Sequence, residues 1–204
     1  MRISYAIPVC TEHVELKELL TFLTLHIEEE DEIVVQCDQG NTTHEVHRVL
    51  GDFPTVKIIE FPLKGNFASF KNNLKEHCTG EWIFQIDADE LPTYFLIKNL
   101  KELLKLNPTT ELFLVPRINT VKGLTQEHIN KWRWNVNESG WVNWPDYQTR
   151  IIQNNPKIAW ASKVHEVITG MSTKALLPME EEWSLYHHKH IDKQEHQNKF
   201  YDTL

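Results

Sequence analysis

Trp82-Ile83-Phe84-Gln85-Ile86-Asp87-Ala88-Asp89-Glu90 is the stretch that decides the reading of this chain. An apolar, strand-like run ends abruptly in three carboxylates. Burying such charges unpaired is costly, so they belong at a strand's exit, near solvent or a cation. In extended backbone, residues i and i+2 point to the same side. That spacing lets Asp87 and Asp89 face one hard divalent cation. The carboxyl end of an apolar strand is also where open α/β sheets hold their ligands. A solvated helix start, with Asp89 or Glu90 as its cap, would need the same residue types. The two uses are compatible.

The sequence before this stretch predicts an alternating series. Ile3 to Val9 reads as a first strand, and Glu15 to His26 carries leucines at helical spacing. Ile33-Val34-Val35 is a short buried strand, followed by the turn-rich Asp38-Gln39-Gly40-Asn41. Thr42 or Thr43 caps a helix through Leu50, Val56 to Phe61 is a third strand, and Phe67 to His77 a further helix. The order β-α-β-α-β-α-β predicts an α/β fold with a mostly parallel central sheet flanked by helices. Beyond it, a helix is expected over Leu91 to Leu106 with Pro92 near its first turn, then a strand from Glu111 to Arg117. From Asn119 to Tyr147 regularity fails, and four tryptophans sit among Asn, Gly and Pro. Long irregular segments of this kind often serve a site. Short late strands follow at 149–152 and 158–160, then a His-rich strand and helix over Trp183 to Leu204.

Composition narrows the class. With 204 residues, 41% apolar and 25% charged, the chain suits one soluble domain. A formal net charge of −8 argues against nucleic acid as a partner. Cys10, Cys37 and Cys78 form no pairing motif and read as buried free thiols in a reducing compartment. Neither a secretion signal nor a stretch of 18 apolar residues occurs, so a cytoplasmic protein without a transmembrane segment is expected, peripheral lipid association remaining open.

Several residues gather at the same sheet edge. Pro8 and Glu12 follow the first strand and Asp38 ends the second. A carboxylate there can accept hydrogen bonds from a base or ribose, or simply shape a turn. Lys71 can neutralise a diphosphate or support Asp87, although taken alone a surface lysine is the simpler reading. His187, His188 and His190 cluster late in the chain without the Cys or acid spacing of a structural zinc site. Some of Trp134, Trp141 and Trp144 must belong to the core, as large apolar groups.

Taken in order, these pieces resemble the family 2 glycosyltransferases with the GT-A fold, above all small members related to lipopolysaccharide core transferases. Ile7-Pro8-Val9 with Glu12 is similar to the opening strand and nucleotide loop, and Asp38-Gln39-Gly40-Asn41-Thr42 to a loop that usually reads D-x-G-S-x-D. Gly65-Asn66-Phe67-Ala68-Ser69-Phe70-Lys71-Asn72 resembles a helix start that often reads G-F-A-x-x-R-N. Residues 80–90 match the metal-binding segment, Trp144 to Ile152 a late motif near the acceptor, and Lys163-Val164-His165-Glu166 the V-H-E that follows. Departures exist. The second acid of the D-x-G-S-x-D loop is absent, Lys71 stands for the usual arginine, and the C-terminus is short for a membrane anchor or acceptor appendage.

The resemblance implies a single glycosyltransferase domain over 1–204, with 1–117 as the nucleotide-sugar half and 118–204 as the acceptor and C-terminal half. It implies a nucleotide-diphosphate sugar, foremost a UDP-sugar, as donor and a glycan or glycolipid as acceptor, with inversion at the anomeric carbon. Pro8, Glu12, Asp38, Lys71, Asp87, Arg150 and His165 would hold the donor. Mn²⁺ or Mg²⁺ would sit at Asp87 and Asp89, with His188 as the late histidine ligand. Asp146 is the favoured general base and Glu166 the other candidate. Two other readings stay open: a nucleotidyltransferase, which would normally show a glycine-rich basic loop where this chain has Pro8-Val9-Cys10-Thr11-Glu12-His13, and a non-catalytic nucleotide- or sugar-binding α/β protein.

Overall fold

A computed structural model describes residues 1–195. The alternating series is present as β1 (Ile3–Val9), α1 (His13–His26), β2 (Glu32–Asp38), α2 (His44–Gly51), β3 (Lys57–Phe61), α3 (Phe67–Glu76) and β4 (Trp82–Gln85). It continues as β5 (Leu91–Pro92), α4 (Tyr94–Leu106), β6 (Leu112–Lys122), α5 (Gln126–Trp132) and β7 (Val142–Gln153), then β8 (Ala159–Ala161), β9 (Val167–Thr169), β10 (Lys174–Leu176) and β11 (Leu185–His190).

The main sheet runs β3-β2-β1-β4-β7-β6-β11-β5, with β10 also paired to β6. The first four strands are parallel; β1, β2 and β4 are largely apolar and buried, as strands covered on both faces require, and β3 is the more exposed edge. The remainder departs from the expected parallel pattern: β7 inserts antiparallel to both β4 and β6. The sheet is therefore mixed. On one face α1, α2 and α4 bury Leu16, Leu20, Val46, Leu96 and Leu100 against Tyr5, Phe84 and Phe113. On the other, α3 and the β8-β9 hairpin bury Ala68, Leu74, Trp160 and Ile168 against Ala6, Val34 and Ile83. Gly80 sets β4 flush against β1, because a Cβ there would lie 2.7 Å from the Ser4 backbone nitrogen.

Four expectations change. Leu91–Pro92 does not open a helix but pairs antiparallel with β11. The residue before a proline favours extended backbone, and α4 starts instead behind Thr93, whose hydroxyl accepts the Leu96 N–H at 3.1 Å. The segment 119–147 is largely regular: β6 reaches Lys122, α5 follows, and β7 begins at Val142. The late strand at 149–152 is part of β7. Cys37 and Cys78 are buried free thiols, but Cys10 is half-exposed. Of the expected C-terminal helix, 191–195 is helical and 196–204 lies outside the described residues.

Candidate active site

The parallel strands deliver their ends to one cavity of about 400 Å³. Pro8, Glu12, Asp38, Lys71, Asp87, Asp89, His165 and Glu166 all line it. It lies outside the carboxyl ends of β1, β2 and β4, where the order of the strands reverses, the usual ligand crevice of such sheets.

Much of its wall is fixed by local hydrogen bonds. Glu12 accepts the backbone N–H groups of Cys10 (3.1 Å) and Thr11 (2.8 Å), pinning the loop after β1. Asp38 is buried. It accepts the Leu63 N–H at 2.9 Å and the Asn41 amide at 3.0 Å, and each oxygen keeps a further lone pair for a ligand. Asn66 caps α3 by accepting the Ser69 N–H, which presents Lys71 one turn later. Lys71 pairs with Glu166 and lies 4.3 Å from the centre of the Trp160 ring. Asn72 clamps the Trp160 backbone through two bonds, at 2.8 and 2.9 Å, and the Phe67 N–H donates to the Lys163 carbonyl. These contacts carry the 163–166 loop into the cavity. His165 turns it there with φ of 54°, a left-handed conformation that costs a non-glycine residue energy.

The carboxylate stretch does not run extended to its end. β4 stops at Gln85, and 87–90 form a turn closed by Glu90 N–H donating to the Asp87 carbonyl at 2.9 Å. The alternation that would aim Asp87 and Asp89 alike is therefore lost, and the two find different partners. Asp87 accepts from Arg150 Nη2 at 2.5 Å. Burial works to raise its pKa, but Arg150 and then Lys71 outweigh it and hold the carboxyl below its ordinary value. Arg150, only 4% exposed, lies behind the cavity wall. It does not line the cavity and reaches it through Asp87.

Glu90 anchors this arrangement from the interior. Its carboxylate takes Nε and Nη2 of Arg150 at 2.9 and 2.7 Å and Nη1 of Arg117 at 2.9 Å. Arg117 turns its other nitrogens to Asp146 Oδ2, at 2.9 and 2.6 Å. Asn119 and Gln148 also donate to Asp146, at 2.8 and 2.7 Å. Burial pushes the Asp146 pKa up, yet Arg117 and these donors dominate and keep it ionised. The chain Asp146–Arg117–Glu90–Arg150–Asp87 is thus one continuous charge network.

Asp146 lies not in the first cavity but in a second, of about 240 Å³, with Arg117, Asn119, Trp134 and His187 in its wall. The two cavities meet where Asp89, in the first, faces His187, in the second: Asp89 Oδ2 and His187 Nε2 are 3.4 Å apart. The late histidine beside the carboxylates is His187. His188 points to the opposite face of β11, is exposed, and shares a 2.5 Å hydrogen bond with Thr120. Adjacent residues of a strand face opposite ways.

Among the described residues, no three His, Cys, Asp or Glu side chains gather into a metal cage. Asp89 and His187 nevertheless suit an open site. Asn119 donates its amide to Asp146 and turns its carbonyl oxygen to His187 Nδ1, at 2.7 Å. Nδ1 is therefore placed to donate to Asn119, and Nε2 faces a carboxylate oxygen of Asp89. An imidazole and a carboxylate side by side can serve as two ligands of a divalent cation once Nε2 gives up any proton it shares with Asp89, and they leave room for phosphate oxygens and water. Asp89 is ionised: burial opposes its charge, but His187 and then Lys193 hold the pKa far below the carboxylate range.

Sequence reasoning gave no role to Arg117, Asn119 and Trp160, read Glu90 only as a helix cap, and named His187 within the late histidine cluster but chose His188 from it. His187 had a readable signal, since it shares a strand face with the apolar Leu185. The others depend on long-range pairing.

Comparisons with known proteins agree with this architecture. The SPbeta prophage-derived glycosyltransferase SunS of Bacillus subtilis (strain 168) and glycosyltransferase SunS of Bacillus phage SPbeta are each 26% identical to the chain over 136 residues. The match covers 67% of this chain but only 28% of the length of either relative. The crystal structure of S. aureus TarS 1-349 superposes with a TM-score of 0.64 at 13% identity, covering 92% of this chain and 60% of that one. TarS 1-349 in complex with UDP-GlcNAc gives 0.58 at 14% identity, over 93% and 59%. These structures show a shared fold. Residues 4–171 match the family model Glycosyl transferase family 2, and the chain belongs to that family.

Proposed function

We propose that the chain transfers a sugar from a nucleoside-diphosphate donor, a UDP-sugar foremost, to a hydroxyl of a glycan or glycolipid, with inversion. The observation that carries this reading is the meeting of two cavities at the Asp89–His187 pair. The first has the acids for a nucleoside at Asp38 and Glu12 and a cation for a diphosphate at Lys71. The second has an ionised carboxylate, Asp146, beside an aromatic wall at Trp134. In this reading 1–117 supply most donor contacts and the later residues the acceptor wall, within one domain. The UDP-GlcNAc complex of TarS supports the donor class.

Asp146 takes the role of general base. The acceptor hydroxyl gives its proton to Asp146 as its oxygen bonds to the anomeric carbon. The bond from that carbon to the diphosphate oxygen breaks, and the nucleoside diphosphate leaves with the electron pair. Glu166 is the other candidate; it lines the donor cavity rather than the aromatic-walled one, and Lys71 engages it there as Arg117, Asn119 and Gln148 engage Asp146. Mn²⁺ or Mg²⁺ held by Asp89 and His187 would disperse the negative charge growing on the leaving group. Lys71, aimed by Trp160 and Glu166, would add a second positive charge there.

Sugar release from a panel of sugar nucleotides, with and without Mn²⁺, tests the proposal. One donor should be turned over in a metal-dependent way, and Asp89→Asn should lower turnover about a hundredfold or more. Full turnover by that variant, or binding of nucleotides without any turnover, would defeat it.

A further inference from the structure

After β11 the chain turns at 191–195 and brings a lysine back over the carboxylate turn. Lys193 Nζ lies 3.2 Å from Asp89 Oδ2, the same oxygen that faces His187 Nε2. A second carboxylate, Glu15 of α1, lies 3.6 Å from Nζ on the other side. The lysine thus stands between the D-x-D turn and the first helix, against Asp89, which lines the donor cavity. An ammonium on a flexible four-carbon stem is a movable point charge. Its side chain is 42% exposed and that of Asp89 19%, so the pair is solvent-screened and readily exchanged.

Two cations cannot share one carboxylate oxygen at contact distance without mutual repulsion. We propose that Lys193 is a tethered counter-cation: it holds the ligand face of Asp89 when no donor is bound, and it must leave before a divalent cation can settle against Asp89 and His187. This rests on the reading of Asp89 and His187 as the cation-holding pair. Released from Asp89, Lys193 keeps Glu15 as a partner, so the exchange does not strand its charge. Binding of the divalent cation is then coupled to movement of the 191–195 turn. The metal alone binds weakly. Metal together with a nucleoside diphosphate binds well, because the phosphates add ligands that the lysine cannot match.

The test is equilibrium Mn²⁺ binding to the full chain, read from the EPR signal of free Mn²⁺, for the wild type, Lys193→Ala and Lys193→Arg. Lys193→Ala should tighten Mn²⁺ binding about three- to tenfold, the scale of a partly exposed ion pair and the repulsion that goes with it. Lys193→Arg, which keeps the charge, should stay near the wild type. Addition of Mn²⁺ and UDP should speed tryptic cleavage after Lys193 in the wild type. Equal or weaker Mn²⁺ affinity in Lys193→Ala, or no Mn²⁺ binding by either protein, overturns the inference. A tightened affinity in a chain that transfers no sugar would support it and strike the proposed function alone.

Discussion

Arg150 grips Glu90 with two nitrogens, at 2.9 and 2.7 Å, in the interior directly behind the cavity, and Asp87 is held from the same guanidinium. The Glu90 side chain is wholly buried between two arginines. Removing it takes one of two carboxylate partners from each arginine, leaving Arg150 with Asp87 and Arg117 with Asp146 and an excess of buried positive charge. Glu90→Ala should therefore destabilise the fold by about 3–5 kcal/mol, among the larger costs of a single substitution. Urea unfolding measures this. A loss below 1 kcal/mol would mean that the network is not the keystone described.

Lys71 offers a separate test of the donor side. Its ammonium is held over the Trp160 ring and against Glu166, within the cavity. Lys71→Ala should weaken UDP binding about tenfold or more, as expected for a lost charge-assisted bond. Trp160→Leu should weaken it less, because the charge remains while its aim is lost. Isothermal titration with UDP and Mn²⁺ separates the two. Equal affinity in Lys71→Ala would remove the lysine from the donor site.

Asp146 and Glu166 can be told apart kinetically. Asp146→Asn should lower kcat about 10²- to 10⁴-fold with UDP affinity kept, the signature of a lost base. Glu166→Gln should act mainly on donor KM through Lys71. The reverse pattern would transfer the role of base to Glu166.

Acid should unfold the protein in a defined window. Asp87, Asp89 and Asp146 all have folded pKa values below those of free aspartates, and for each the opposing effect of burial is outweighed by cationic neighbours. Their contribution to stability is fully present above the unfolded value of about 3.9. It disappears as pH falls from there through the folded values. The urea midpoint should accordingly owe no slope to these groups between pH 8 and 5 and drop below pH 4. Asp146→Asn should lower the midpoint at pH 7 and make the acid drop shallower. A main loss of stability near pH 6 would point to histidines instead.

Trp134 tests the acceptor side. It lines the cavity that contains Asp146 and packs at a tilt against Trp132, with ring centres 4.7 Å apart. Trp134→Ala should reduce transfer to acceptor while leaving hydrolysis of the donor intact. Equal loss of both would place it outside the acceptor wall.

The first half of the fold was legible because its signals are local. Strands such as Ile33-Val34-Val35 are continuous apolar runs, and α1 repeats leucine at helical intervals. The two-residue β5 was not legible, since only its pairing with Leu185 and Tyr186 makes it a strand. β7 hid for a different reason: six of its first eight residues are half-buried, mixing polar side chains with Trp144 and Pro145, so no alternation shows. At the site, the acids were evident from their place at strand ends. Their division of labour was not. Asp87 and Asp89 look equivalent in sequence; Arg150, 63 positions away, takes the one, and His187 and Lys193 take the other. The choice between His187 and His188 depended on the pairing of β11 with β6, which brings His187 beside Asn119.

β7 carries Asp146 near one end and Arg150 four residues later, and it is wedged between β4 and β6. This bears on how such an enzyme could acquire a new acceptor. Lengthening the 133–141 connection leaves the strand in place, so variation is cheap there. Inserting one residue between 146 and 150 would rotate every following side chain to the other face. Arg150 would swing away from Glu90, and a change in acceptor preference would cost the leaving-group side of the enzyme as well. Transplanted recognition segments should therefore be spliced ahead of Val142.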